Sequence, residues 1–173
     1  MPEKTEAIRQ GDIPGVQLRC RQALPLPPGE AWSWLTESSR LERWLATEAV
    51  VAAGPQGSLV LAGTGTGTEA SEENTGPAAW RERGRTLVWT PPGLWVLAFE
   101  RLDAGWTAAT RLTLAIHPQP GEAGEAGGAE LDVLQHGFQR LPLSLCLTVW
   151  EAYRRRWRTA LSRLAAATAA TAP

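Results

Sequence analysis

Alternating apolar and polar positions predict one strand near the N-terminus and about six more in the middle of the chain. From Val16 to Leu24 apolar and polar side chains alternate, which is the two-residue period of a half-buried strand. The later candidates lie at about 47–52 and 57–62, followed by the segments WRERGRTLVWT, GLWVLAFER, AATRLTLAIHP and GAELDVLQHGF. Short connections between successive strands predict antiparallel hairpins.

The segment PPGEAWSWLTESSRLERWLA predicts two short helices after the first strand. Proline is tolerated in the first turn of a helix, and a glutamate there suits its positive end, so we expect a helix from Pro28 to Thr36. Ser38 or Ser39 is expected to cap a second helix that ends near Leu45, with Glu42 as the capping-box partner of Ser39.

An apolar stripe towards the C-terminus predicts one long helix. Apolar residues recur there every three or four positions, which places them on one face of a helix of roughly 24 residues, about 36 Å long. The stripe consists of Cys146, Trp150, Tyr153, Trp157, Leu161 and Leu164.

The order of these elements predicts an α+β fold. An antiparallel sheet with one apolar face must bury that face, and the long helix carries the matching stripe. We therefore expect a curved antiparallel sheet of about six to seven strands around the C-terminal helix, with two short helices after the first strand. Residues 16–166 are expected to form a single domain, between a flexible lead at 1–15 and a flexible tail at 167–173. The polar segment GTGTGTEASEENTGP is predicted to be a loop.

Composition and charge exclude several classes of function. The 173 residues carry a formal net charge of −1, which gives no electrostatic attraction to nucleic acid. The arginines of YRRRWR fan out by about 100° per residue along the predicted helix and form no single patch. No apolar run approaches the ~20 residues that span a bilayer. The N-terminus lacks the apolar core of a signal peptide, so we expect a cytoplasmic location and no membrane insertion.

Catalytic and metal-binding patterns are not found. The two cysteines and two histidines have no metal-ligand spacing, and no G-x-S-x-G nucleophile motif occurs. The sequence therefore predicts no catalytic residues, no metal and no cofactor. A non-enzymatic role is the favoured interpretation.

Three stretches resemble a known family. PPGEAWSWLTESSRLERWL, GRTLVWTPP, and ELDVLQHGF with the following VWEAYRRRWRTALSRLAA are similar to the START and birch-allergen (SRPBCC) superfamily. Within it they resemble bacterial homologues of the heat-shock protein 90 ATPase activator. The similarity covers nearly all of residues 16–166, and the residues that match are Pro28, Trp32, Leu35, Thr36, Leu41, Trp44, Leu45, Trp157, Leu161 and Leu164. Trp34 and Gln135 depart from the pattern of that family.

The resemblance implies a helix-grip fold with a cavity between sheet and helix that holds a small hydrophobic ligand of lipid or aromatic type. The alternatives are a protein-interaction module associated with a chaperone, and, third, an enzyme of the cyclase or dehydratase kind with Tyr153 as its acid or base. The same aromatic residues could instead fill the core, and the oligomeric state is open. The candidate cavity residues are Trp32, Trp44, Leu112, Leu114, Leu131, Val133, Gln135, Trp150, Tyr153 and Trp157.

The role of Trp34 is the last question that the sequence leaves open. It lies two residues from Trp32, about 200° around the helix, and so cannot share its face. It is expected either to cover the mouth of a cavity or to mark an outer contact surface.

Overall fold

The computed structural model describes residues 16–64, 79–121 and 127–171. The lead at 1–15 and most of the predicted loop, at 65–77, lie outside these ranges, whereas Gly63 and Thr64 end a strand. The strands are β1 (Gln17–Leu24), β2 (Glu48–Ala52), β3 (Ser58–Thr64), β4 (Ala79–Thr90), β5 (Leu94–Arg101), β6 (Thr110–Pro118) and β7 (Ala129–His136). The helices are α1 (Pro28–Thr36), α2 (Ser38–Leu41) and α3 (Leu143–Ala169), with a 3-10 turn at Phe138–Arg140.

The strands form one antiparallel sheet in the order β1-β7-β6-β5-β4-β3-β2. The sheet is curved, and α3 packs against β1 across its apolar face. This confirms the predicted α+β architecture of a sheet around a long C-terminal helix. The order of the strands also places the first and last strands of the chain, β1 and β7, side by side.

Helix α3 is longer than its pattern predicts, with 27 residues instead of roughly 24. It continues through Ala169 and so includes the first three residues of the tail that the sequence predicts at 167–173. The stripe residues are buried except for Trp150, which is half-buried and whose indole nitrogen donates to the carbonyl of Gln17, 3.0 Å away.

The side chains that were expected to cap α2 bind a strand instead. Helix α2 has no side-chain cap at its N-terminus. Ser38 Oγ accepts the backbone N–H of Val51 at 3.1 Å, and Glu42 Oε1 accepts that of Ala49, also at 3.1 Å. Because β2 is the last strand of the sheet, these N–H groups have no neighbouring strand, and the side chains around α2 satisfy them. The predicted capping box of Ser39 and Glu42 is therefore wrong.

Exposed and buried side chains alternate along the first half of strand β4. Arg81, Arg83 and Arg85 are exposed, while Glu82 and Thr86 between and after them are buried. Residues that lie opposite each other in an antiparallel pair share a face. Glu82 pairs with the buried Leu61 of β3 and with Arg101, the last residue of β5. The three side chains therefore face the inside of the curved sheet.

Candidate functional site

A buried carboxylate is the centre of the candidate site. Glu82 is 1% exposed, and its Oε1 atom accepts hydrogen bonds from the hydroxyl of Tyr153 and from Nη1 of Arg156. Tyr153 and Arg156 are three residues apart on α3, so they reach the carboxylate from one face of that helix. The cluster joins β4 to α3 inside the grip.

Trp80 covers the arginine of this cluster. The guanidinium carbon of Arg156 lies 4.1 Å from the ring centroid of Trp80, which is a close cation–π contact. Gly63 on β3 makes room for the ring, because a Cβ atom at that position would lie 2.4 Å from it. The lack of a side chain at Gly63 thus allows the Trp80 ring to lie where it does.

Two polar atoms of the site lack partners within the described part of the chain. They are Oε2 of Glu82 and the indole Nε1 of Trp106, and both are buried. Trp106 lies in the loop between β5 and β6, with its ring centroid 5.7 Å from that of Tyr153. Buried polar groups in folded proteins are nearly always hydrogen-bonded, so two such atoms in one cluster mark a candidate binding site.

Aromatic rings surround the phenol of Tyr153. The ring centroids of Phe138 and Phe99 lie 6.2 and 6.4 Å from that of Tyr153, in addition to Trp106. Burial and the neighbouring Glu82 carboxylate raise the pKa of Tyr153 well above 10, so its hydroxyl stays protonated. Burial alone would lower the pKa of Arg156, but Glu82 and Tyr153 outweigh that effect and raise it. The arginine is therefore charged and the tyrosine neutral.

An open pocket of about 480 Å³ adjoins this cluster at the end of the sheet. Trp80 and Arg101 line it, together with Gly63 and the start of the β5–β6 loop at 102–104. Trp80 stacks on the arginine of the cluster, and Arg101 lies opposite Glu82 in the sheet register. The pocket thus shares two residues with the surroundings of the buried carboxylate.

Two of the predicted cavity residues bind each other in the centre of the grip. The indole Nε1 of Trp157 donates to Oε1 of Gln135 at 3.0 Å. The amide nitrogen of Gln135 donates in turn to the hydroxyl of Thr110, which donates to the carbonyl of Phe99. Each side chain in this series of hydrogen bonds thus has a protein partner.

Trp44 and Trp34 also pack within the protein. The indole of Trp44 donates to the backbone carbonyl of Trp34 at 3.1 Å. Trp34 is only 2% exposed, and the guanidinium carbons of Arg40 and Arg43 lie 5.6 and 4.8 Å from its ring centroid. Trp34 is therefore buried beneath two arginines and is neither an exposed surface residue nor part of the described pocket.

The remaining predicted residues lie in the apolar core or beside it. Trp32 is buried, and its ring packs edge-to-face against that of Trp89, with 5.2 Å between the ring centroids. The ring of Trp89 packs in the same way against that of Trp95, at 5.3 Å. The apolar residues of β6 and β7 are almost fully buried, namely Leu112, Leu114, Leu131 and Val133. Of the ten predicted cavity residues, the structure brings only Tyr153 to the buried carboxylate.

Sequence reasoning missed most of the cluster, although two signals were present. The exposed arginines at alternate positions of WRERGRT place Glu82 on the inner face of its strand. Arg156 is the i+3 neighbour of Tyr153 and so belongs near the same helix face. No sequence signal indicates Trp106, because it lies in an irregular loop.

Comparison with known proteins finds solved structures of similar fold. No protein-family model matches the chain, and no curated protein does. A protein from Chromobacterium violaceum is 20% identical, with 91% of this chain and 97% of that chain covered and a TM-score of 0.64. An HSP90 activator from Plasmodium falciparum is 16% identical, with 87% and 94% covered and a TM-score of 0.60. DynU16, from the dynemicin biosynthetic locus, is 18% identical, with 88% of this chain and 46% of that chain covered and a TM-score of 0.59.

The chain has the helix-grip fold. At these identities the likeness establishes the fold and no more than the fold. None of the helices in the described ranges is both long and apolar enough to cross a membrane. Within residues 16–64, 79–121 and 127–171, no three histidine, cysteine, aspartate or glutamate side chains come together as metal ligands would.

Proposed function

We propose that the protein binds a small, mostly apolar molecule and does not transform it. The observation that carries the proposal is the pocket of about 480 Å³ beside the aromatic cluster around Tyr153. Its volume falls within the ~300–1,000 Å³ typical of small-molecule sites, which combine apolar walls with a few polar groups. Trp80 and Leu102 supply apolar walls, and Arg101 and Asp103 supply polar groups beside them.

The proposed site lies at one end of the grip. The sequence places the ligand in the centre, among residues such as Gln135 and Trp157, and ligand contact by those residues stays a prediction. Their hydrogen bonds to each other favour a role in holding sheet and helix together. Oε2 of Glu82 has no partner among the described residues, which favours the end of the grip as the place of recognition.

The test is the melting temperature of the full chain with naphthalene, 2-naphthol and decanoic acid added in turn. A ligand that binds only the folded state stabilises it, by about 2.7 kcal/mol at ~100 times its Kd. We expect at least one probe to raise Tm with increasing concentration. Ala104→Leu, in the pocket lining, should abolish the effect, and Ala23→Leu, the same change at an exposed position of β1, should keep it. An unchanged Tm with all three probes would contradict the proposal.

A chaperone-associated role is a second candidate, and one surface favours it. Leu143 and Leu147 lie one turn apart at the start of α3 and are 65% and 60% exposed. Paired exposed leucines are uncommon on a surface that has no partner. The similarity in fold to a Plasmodium HSP90 activator adds to this hypothesis. If it is right, the protein changes the ATPase rate of HSP90 and Leu147→Ser reduces the change, whereas an unaltered rate removes this candidate.

A further inference from the structure

Strand β5 is apolar on both of its faces. Residues 94–99 read LWVLAF, an unbroken apolar run, which is typical of a strand that is covered on both sides. Alternate residues of this run are almost fully buried on the inner face of the sheet. The other three lie on the outer face and are half-buried, namely Leu94, Val96 and Ala98. Strand β5 thus has the composition of a strand between two layers.

The helices of the described chain supply a layer on the inner face. Helices α1 and α3 pack there through Trp32 and Trp157, and α2 binds the edge strand β2. On the outer face, in contrast, Val88 is 41% exposed and the adjoining Leu87 is 38% exposed. Neighbouring apolar side chains on an open surface are typical of an interaction site.

The strand register aligns the outer residues of β4 to β7 in one row. Val88 of β4 lies opposite Val96 of β5. The register continues this row with Thr113 of β6 and Leu134 of β7. Residues opposite each other in antiparallel strands share a face, and neighbouring strands lie about 4.8 Å apart, so the row is about 14 Å long. We call these four residues the outer apolar row.

Two exposed arginines flank the outer apolar row. Arg85 of β4 and Arg111 of β6 both lie opposite Ala98 of β5, so they belong to the next row of the same face. Neither takes part in a salt bridge within the described residues. Two strand spacings separate their backbones, which is about 9.6 Å. We call Arg85 and Arg111 the arginine pair.

Positive charge is in excess in this part of the outer face. The carboxylates of Glu100 and Asp132 are already ion-paired there, with Arg83 and Arg19. The arginine pair is left as two positive charges without a counter-ion in the described chain, whereas the whole chain has a net charge of −1. Because surfaces that bind each other carry complementary charge, the partner of this face is acidic. A second copy of the chain would bring its own arginines to the contact and does not meet this condition.

We propose that the outer face of the sheet docks an acidic amphipathic helix of another protein. The apolar side of the helix lies on the outer apolar row, and carboxylates on its flank bind the arginine pair. The two rows are two residues apart along the strands, about 6.7 Å, which is less than the ~10 Å width of a helix. Carboxylates two turns apart on one side of a helix are about 10.5 Å apart, close to the separation of the arginine pair. This interaction does not depend on the ligand pocket at the end of the sheet.

The experiment is a fluorescence-anisotropy titration with the full chain. The probe is a labelled synthetic helical peptide of about fourteen residues, roughly 21 Å long, with leucines on one face and glutamates beside them. A matched peptide has lysine in place of each glutamate, and vesicles that contain phosphatidylglycerol are the third probe. We expect the acidic peptide to bind and the lysine peptide not to bind. Equal binding of the two peptides, binding of the vesicles alone, or no binding of the acidic peptide would overturn the inference.

Variants connect this binding to the outer face. Arg85→Glu combined with Arg111→Glu reverses the arginine pair, so we expect the Kd of the acidic peptide to rise about tenfold or more. Arg155→Glu combined with Arg163→Glu makes the same change in net charge at exposed positions of α3 and should alter the Kd less than about threefold. Val88→Thr keeps the shape of a β-branched side chain but adds a hydroxyl, so it should weaken binding about threefold even if the reversed pair does not fold. An unchanged Kd in the reversed pair with native circular dichroism, or in Val88→Thr, would contradict the assignment.

Discussion

At the scale of single residues, the carboxylate of Glu82 links the sheet to the helix and to the proposed ligand. One of its oxygens holds Tyr153 and Arg156, and the other has no partner among the described residues. A buried ion pair adds little net stability compared with apolar packing, because both ions lose their water. Since apolar packing would stabilise the fold as well, the ion pair fits the role in recognition that we propose.

The hydroxyl of Tyr153 should resist ionisation for as long as the protein is folded. Its pKa is raised well above 10, first by burial and then by the Glu82 carboxylate. Because its pKa in the unfolded chain is about 10, the stability it contributes is full below pH ~10 and is lost as the pH rises further.

Tyrosinate absorbance measured against pH checks this expectation. Tyr153 is the single tyrosine of the chain, so the whole signal belongs to it. We expect the absorbance to rise only together with the loss of far-UV circular dichroism. Ionisation near pH 10 in a chain that keeps its native circular dichroism would show that the phenol is accessible to water.

Gln135 makes a separate contribution, which is structural. Replacement by leucine leaves the indole N–H of Trp157 and the hydroxyl of Thr110 without this partner in the core. We expect Gln135→Leu to lower the free energy of unfolding by about 1–3 kcal/mol, measured by urea denaturation. Gln17→Leu, at an exposed position of β1, should change it by less than about 0.5 kcal/mol. Similar values for the two variants would argue against the core hydrogen-bond chain.

At the scale of secondary-structure elements, α2 protects an edge of the sheet. The outward N–H groups of Ala49 and Val51 on β2 bind Glu42 and Ser38 instead of a further strand. An edge strand with free N–H groups can pair with another chain, so this contact also limits aggregation. The side chains of Ser38 and Glu42, at the two ends of this short helix, therefore stabilise the edge of the sheet.

Hydrogen exchange measured by NMR tests this protection. Ser38→Ala removes the acceptor of the Val51 N–H and leaves that of Ala49 in place. We expect the Val51 amide to exchange at least about tenfold faster, which corresponds to the loss of one hydrogen bond. Ser39→Ala, at the exposed neighbouring position, is the control and should change neither amide. Unchanged protection of Val51 in Ser38→Ala would mean that water or the strand itself supplies the acceptor.

Most elements could be predicted from the sequence, because their signals are local. The bounds of α1 agree with its proline start, and β1 agrees with its two-residue alternation from Val16 to Leu24. The partners of Ser38 and Glu42 could not be predicted, because the capping rule considers only neighbouring residues. Both side chains instead accept hydrogen bonds from a strand seven to thirteen residues away. The cluster around Glu82 joins residues 71 and 74 positions apart, and no periodicity indicates such a contact.

At the scale of the whole molecule, hydrogen bonds join sheet and helix in the centre of the grip, and a pocket opens at one end. In the centre, hydrogen bonds between indoles, amides and hydroxyls join the sheet to α3, as those of Trp157 and Gln135 do. At the end, the aromatic cluster around Glu82 adjoins the pocket beside Trp80. With the ligand site that we propose, this division assigns some of the nine tryptophans to architecture and others to binding.

The most direct test is an NMR titration that follows the indole N–H signals of the nine tryptophans while 2-naphthol is added. Each signal is assigned by a Trp→Phe variant. We predict that the signals of Trp80 and Trp106 shift, while those of Trp44 and Trp157, which are hydrogen-bonded within the protein, stay in place. Shifts confined to Trp44 and Trp157 would place the ligand in the centre of the grip, and the absence of any shift at saturating 2-naphthol would contradict ligand binding at the Glu82 end.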